Sequence, residues 1–87
     1  MTPELIKTCP SHPEQYELRV DGEMIAYFRL RWGRFTVECP GPLDDLVFVH
    51  TWANDPYKGE FDSGEEAELF MGRGMAAIVM HYARLLV

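Results

Sequence analysis

The segment from Tyr16 to Cys39 constrains the fold most strongly, because apolar and polar side chains alternate along three successive stretches of it. A period of two residues is typical of half-buried β-strands. Two short turn sequences, Asp21-Gly22 and Trp32-Gly33, separate the three stretches. The pattern therefore predicts a three-stranded antiparallel meander with one apolar face.

The length of the first turn decides which residues share that face. A two-residue turn at Asp21-Gly22 mixes apolar and polar residues on both faces. A three-residue loop over 20–22, with Gly22 in the left-handed conformation of a bulged turn, instead pairs Leu18 with Met24 and keeps one face apolar. Because a slip of one residue moves every side chain to the other face, we predict the three-residue loop.

The second turn is predicted to contain only Trp32 and Gly33, which pairs Leu30 with Phe35 and Phe28 with Val37. The apolar face then continues into the third strand and includes Cys39. The opposite face, called the outer face below, is predicted to carry Glu17, Arg19, Ile25, Tyr27, Arg29, Arg31, Arg34, Thr36 and Glu38.

The remainder of the chain predicts one further strand and a helix. Residues 46–52 are apolar on both alternating sets, as in a strand covered on both sides, so Val47 or Phe48 is expected to add to the outer face. Residues 57–61 are interpreted as a short edge strand or an ordered loop. Residues 1–14 contain three prolines and are interpreted as an extended arm.

Ser63 and Glu66 form a capping-box pattern that predicts the start of a helix from Gly64 to Leu86. Apolar residues at helical spacing follow and predict packing on the apolar face of the sheet. Gly72 and Gly74 are unfavourable in a helix, and we interpret them as points of close approach to the sheet. The predicted fold is a single α+β domain over 1–87, with four or five antiparallel strands in a meander and one C-terminal helix across one face.

Composition limits the classes of function. A net charge of −6 argues against bulk electrostatic binding to nucleic acid or to an anionic membrane. The sequence contains neither a signal-peptide pattern nor an apolar run long enough to span a membrane, and the two cysteines, Cys9 and Cys39, cannot form a disulfide framework. These features predict a cytoplasmic protein with no membrane partner.

The sequence offers no convincing catalytic or metal-binding constellation. Cys9 and His12 have a ligand-like spacing, but no second close pair completes a zinc site, and Cys39 is predicted to be buried. Adjacent acidic residues on a turn and at a helix start do not direct two carboxylates at one point, as acid–base catalysis requires. We therefore predict no enzyme activity, no cofactor and no metal.

The remaining candidate is a cluster of arginines at the end of the second hairpin. Arg31 and Arg34 are predicted to face each other across the Trp32-Gly33 turn without an acidic partner in the hairpin, which is unfavourable unless an anion neutralises them. The alternative interpretation is an ordinary solvated hairpin end at which the arginines diverge.

Two hypotheses of different class follow. The first is a non-enzymatic interaction, accessory or inhibitor module that binds a protein partner or a second copy of itself, as a homodimer, through the outer face. The second is nucleic-acid or phosphate binding at the hairpin end. A variant of the first hypothesis is that the acidic residues of 55–68 mimic a nucleic-acid backbone. The predicted binding residues are Ile25, Tyr27, Arg29, Arg31, Trp32 and Arg34.

Overall fold

The structure, a computed structural model, describes residues 3–9, 14–40 and 45–85. In these residues the elements are β1 (Pro3–Cys9), β2 (Glu14–Val20), β3 (Glu23–Arg31), β4 (Arg34–Cys39), β5 (Asp45–Thr51) and α1 (Gly64–Leu85). The strands form one antiparallel sheet in the order β1-β2-β3-β4-β5, with α1 packed on one face. The predicted α+β meander with a C-terminal helix is therefore confirmed.

The β3–β4 hairpin has the predicted turn and register. Leu30 pairs with Phe35 and Phe28 pairs with Val37. Trp32 and Gly33 form the two-residue turn, with φ angles of 55° and 68°. Two successive positive φ angles are typical of the type I′ turn, whose twist matches that of the flanking strands.

The β2–β3 turn differs from the prediction. Asp21 and Gly22 both have positive φ, and Val20 pairs with Glu23, so the turn contains two residues rather than three. The additional residue lies instead within β3, where a bulge places Leu18 opposite Ala26. The predicted pairing of Leu18 with Met24 is therefore wrong, although the bulge still keeps Leu18 with the apolar residues of β3.

The fifth strand is not the one suggested by residues 57–61. Those residues have no regular strand structure, whereas Pro3–Cys9, within the predicted arm, pairs along β2 as the edge strand β1. Proline is tolerated at the start of an edge strand because its missing N–H removes no bond from an interior ladder. Residues 3–9 of the predicted arm are thus part of the sheet.

The core lies between α1 and the central strands. Its buried members are Leu18, Ala26, Phe28, Leu30, Phe35, Val37, Cys39, Phe70 and Ile78. Met24 is absent from this cluster, because the bulge sets it opposite Arg19. Cys39 is buried as predicted.

The helix is capped and positioned as the sequence indicates. The N–H of Glu66 donates to Ser63 Oγ at 3.0 Å, and the N–H of Asp62 donates to Glu66 Oε1 at 2.9 Å. A Cβ atom added to Gly74 would lie 2.9 Å from Val37 Cγ2, so this glycine does permit close contact with the sheet. The same test at Gly72 finds open space, and close approach at Gly72 is therefore not observed.

The loop from Trp52 to Ser63 runs back against the hairpin end. Gly33 donates to the carbonyl of Lys58 at 2.9 Å, and Trp52 donates to the carbonyl of Gly33 at 2.7 Å. Lys58 is only 5% exposed, and its Nζ lies 2.9 Å from carboxylate oxygens of both Asp62 and Glu66. The two backbone hydrogen bonds hold the Trp32-Gly33 turn against this loop.

No helix among the described residues combines the length and the hydropathy needed to cross a membrane.

Candidate anion-binding site

The candidate site lies on the outer face of the sheet, the face away from α1. Alternate residues of β3 and their partners in β4 face outward there, and between them runs a groove of about 390 Å³. We call it the arginine groove. It is lined by Arg29, Arg31, Trp32, Arg34, Thr36 and Glu38.

The tight turn brings two of its arginines together. Arg31 and Arg34 are paired residues at the end of the β3–β4 ladder, and both are exposed. Like charges directly opposite each other on antiparallel strands destabilise a sheet. The fold therefore holds two positive charges together at a small electrostatic cost.

Trp32 sits at the tip of the same turn in an unusual conformation. Its φ is 55°, a left-handed conformation that glycine, asparagine and aspartate adopt more readily than a bulky residue does. Its side chain is 63% exposed and lies against the guanidinium of Arg31, 5.6 Å from the ring centroid. Such a backbone conformation costs a bulky residue on the order of 1–3 kcal/mol.

Arg29 lies deeper in the groove and carries an unsatisfied donor. Its guanidinium is 5.3 Å from the ring centroid of Tyr27, whose hydroxyl donates to Gln15 Oε1 at 2.7 Å. Arg29 Nε is enclosed and has no hydrogen-bond partner in the part of the chain that the structure describes. A buried donor left unpaired costs about 1–3 kcal/mol.

The three arginines of the groove have no ion-pair partner among residues 3–9, 14–40 and 45–85. Ion pairs in this part of the chain involve other cations: Arg19 with Glu17, Lys58 with Asp62 and Glu66, and His81 with Asp45. Glu38 lines the groove but lies beyond ion-pair distance of all three arginines. The groove thus combines three guanidinium groups with one carboxylate, in a protein whose net charge is −6.

The structure brings together four of the six predicted binding residues, namely Arg29, Arg31, Trp32 and Arg34, and sets Tyr27 beside them. The structure does not place Ile25 on the outer face, where it was expected. Ile25 is the additional residue of the β3 bulge and packs against the core, and its carbonyl accepts a hydrogen bond from the Tyr82 hydroxyl at 2.9 Å. Ile25 therefore does not belong to the outer-face surface.

Val47 or Phe48 was also expected on the outer face, but both residues pack against the core cluster instead. A bulge in β5 at Val47 shifts the register. Val49, which pairs with Thr36, is an exposed apolar residue of β5 next to the groove.

Gln15 was not predicted on the outer face, and Thr36 and Glu38 were predicted on that face but not among the binding residues. Gln15 and Thr36 are the cross-strand neighbours of Arg29, and Glu38 is the partner of Tyr27. The predicted β3–β4 register already identifies Thr36 and Glu38, whereas Gln15 was missed because the predicted first strand began at Tyr16.

The described residues give less support to metal binding or to catalysis by a cysteine or histidine. No three potential metal ligands lie together there. Burial, with a smaller contribution from the charge of Asp45, raises the pKa of the Cys39 thiol and so disfavours the reactive thiolate. His50 packs against the rings of Trp52 and Phe70, at centroid distances of 4.5 Å and 4.7 Å, in a structural position.

No protein-family model, curated protein or solved structure matches this chain. The chemistry of the arginine groove therefore carries the functional proposal. Guanidinium groups bind carboxylates and phosphates through paired, charge-assisted hydrogen bonds.

Proposed function

We propose that this protein is a non-enzymatic interaction module that binds an acidic segment of a partner protein in the arginine groove. One observation carries the proposal. Three arginines without an ion-pair partner among the described residues face the same groove, and one of them has an enclosed, unpaired Nε. A carboxylate in the groove supplies a charged acceptor to the guanidinium groups that lack an ion-pair partner.

Several features favour a protein partner. Arginine, tyrosine and tryptophan are the residues most enriched at the energetic centres of protein interfaces, and all three types meet here. Val49 adds exposed apolar surface beside the groove. The net charge of −6 and the carboxylate of Glu38 oppose the approach of a long polyanion more than that of a short acidic peptide.

Recognition depends on separate roles for the arginines. Arg31 and Arg34 are exposed, so they draw an acidic segment toward the hairpin end. Arg29 is half-buried and pairs with a carboxylate that reaches the floor of the groove. Trp32 and Tyr27 supply rigid aromatic surfaces on either side.

The experiment is a titration of the protein into a fluorescently labelled peptide of about twelve residues rich in glutamate, followed by fluorescence anisotropy at two salt concentrations. We expect micromolar affinity that weakens as salt rises. Arg29→Gln, Arg31→Gln and Arg34→Gln should each weaken binding by roughly tenfold, the effect of losing about 1.4 kcal/mol of charge-assisted hydrogen bonding.

Arg19→Gln is the matched control. Arg19 has the same charge, but its guanidinium is already bound to Glu17 Oε1 at 2.6 Å and to the carbonyl of Gly22 at 3.1 Å. Its replacement should change peptide affinity less than twofold. An equal loss in all four variants would mean that net charge alone governs binding, and the proposal would be abandoned.

A second candidate is binding of single-stranded nucleic acid at the hairpin end, and one observation favours it. The ring of Trp32 lies 6.2 Å from that of Tyr57, which is 74% exposed, so two exposed aromatic rings stand beside Arg31. Stacking of bases on such rings beside cations is a common means of binding single strands. A labelled thymidine oligonucleotide in the same titration distinguishes the two candidates, since tighter binding of the oligonucleotide than of the peptide selects the second.

A further inference from the structure

Helix α1 is apolar on the side that faces away from the sheet as well as on the side that packs against it. Phe70, Gly74 and Ile78 are buried against the sheet. On the opposite side, Leu69, Val79 and Met80 are 49%, 64% and 56% exposed. We call this opposite side the free helix face. It comprises Leu69, Gly72, Ala76, Val79, Met80 and Ala83.

Charges are kept off the free helix face. Between residues 69 and 83, the ionisable side chains are Arg73, His81 and Tyr82, and the Tyr82 hydroxyl donates to the Ile25 carbonyl of β3. Arg73 extends over the ring of Phe70, with 5.3 Å between its guanidinium and the ring centroid. His81 lies 12% exposed beside Asp45 of β5. A helix that is apolar all round is ordinarily buried on all sides, whereas this sheet covers only one side of α1.

We propose that the free helix face packs against the same face of a second copy, with the two helices antiparallel and the twofold axis beside Ala76. The 22 residues of α1 give a helix roughly 33 Å long, enough for an extended contact. Leu69 and Ala83 are equally distant from Ala76, and so are Gly72 and Met80. An antiparallel pair therefore places Leu69 at the level of Ala83 and Met80 at the level of Gly72, so that a large side chain meets a small one at both levels, as close helix packing requires.

The charges at the two ends of α1 specify this orientation. Glu65 and Glu66 lie in its first turn and Arg84 in its last. In an antiparallel pair, the acidic end of each helix lies beside Arg84 of the other, and the helix dipoles are opposed. A parallel pair would instead bring acidic ends together. The complementarity of the face with itself is the reason for choosing a second copy as the occupant.

This arrangement leaves the arginine groove free. The helices form the centre of the dimer, and the two outer faces point away from each other, so the dimer presents two grooves. Binding to a partner with two acidic segments would then benefit from the high effective concentration of the second site. The dimer itself does not depend on the function proposed for the groove.

The test is the solution mass measured by light scattering after size-exclusion chromatography at about 100 µM, where a dimer with micromolar Kd predominates. We expect twice the 10.1 kDa of one chain. Val79→Glu should weaken the dimer at least tenfold, because it would bury a carboxylate in the apolar contact between the two helices. Arg84→Glu should weaken it to a smaller extent, and the loss should diminish at high salt.

Val49→Glu is the matched control, because it makes the same substitution at an exposed valine of the outer face. Far-ultraviolet circular dichroism establishes that each variant is folded. A mass of 10.1 kDa for the unaltered chain at this concentration would overturn the proposal. So would a dimer that Val49→Glu dissociates and Val79→Glu leaves intact, since its interface would then be the outer face.

Discussion

Two glycines of α1, two positions apart, should respond in opposite directions to the same substitution. At Gly74 an added Cβ would lie 2.9 Å from Val37 Cγ2 and 3.0 Å from Phe28 Cε2. Ordinary contacts between carbon atoms are about 3.5–4.0 Å, so one neighbour must move by more than half an ångström. Both neighbours are fully buried and cannot move freely.

The two contributions can be weighed. Overpacking a well-packed core costs about 1–3 kcal/mol, and the tight surroundings of Gly74 favour the upper part of that range. Replacing glycine by alanine in a helix recovers roughly 1 kcal/mol. Gly74→Ala should therefore lower the free energy of unfolding by about 1–2 kcal/mol. At Gly72, which is exposed and has open space around it, only the gain remains, so Gly72→Ala should raise it by roughly 0.5–1 kcal/mol.

The assay is thermal and denaturant unfolding of both variants. In a domain of this size, 1 kcal/mol corresponds to about 4–8 °C in Tm. Since Gly72 lies on the free helix face, both variants should be built on a Val79→Glu background, so that self-association does not contribute. If the free energy of unfolding of Gly74→Ala were equal to or greater than that of Gly72→Ala, the close packing of α1 on Val37 and Phe28 would be refuted.

The loop beneath the hairpin end supports two further predictions. A Cβ at Gly33 would clash with the carbonyl oxygen of Asp55, and Gly33 has a φ of 68°. Gly33→Ala should therefore lower the free energy of unfolding by roughly 2–3 kcal/mol, measured as a reduced urea midpoint. Lys58→Met should cost about 1–3 kcal/mol, because it leaves Glu66 without its buried cation. Burial lowers the pKa of Lys58, but its hydrogen bonds to carboxylates outweigh that effect and raise it above 10.5. The stabilisation from the charged Lys58 is therefore complete below pH 10.5 and is lost as pH rises through the folded-state value. The stability difference between the chain and Lys58→Met should be independent of pH near neutrality and should shrink in that alkaline range.

The β3–β4 hairpin and the helix could be predicted from the sequence for clear physical reasons. The apolar alternation of β3 and β4 allows a single register around Trp32-Gly33, and Ser63 with Glu66 marks the start of α1. Arg31 and Arg34 follow directly from that turn, so their juxtaposition was predicted as well. That part of the site is local in sequence.

The parts that could not be predicted depend on contacts distant in sequence. Alternation reveals which residues share a face, but it does not show whether the additional residue lies in the turn at Gly22 or in a bulge at Ile25. The strand β1 is supported by pairing along β2 rather than by its own pattern. The burial of Lys58 and the enclosed Nε of Arg29 arise only once neighbouring strands and loops are in place.

Arg29 bears most directly on the central claim, which is that the outer face retains an unsatisfied cation in order to bind an anion. Arg29→Met preserves most of the side-chain volume and removes the unpaired donor. The relief of about 1–3 kcal/mol exceeds the roughly 0.5–1 kcal/mol lost from the contact with Tyr27. Functional sites commonly carry such a conflict between stability and binding.

The decisive measurement is therefore made twice on the same Arg29→Met protein: the free energy of unfolding by urea, and the affinity for the glutamate-rich peptide. The account predicts a protein as stable as the unaltered chain or more stable by up to about 2 kcal/mol, with peptide affinity reduced at least tenfold. A protein that loses stability while binding the peptide unchanged would contradict it, because Arg29 would then serve the fold and not the groove.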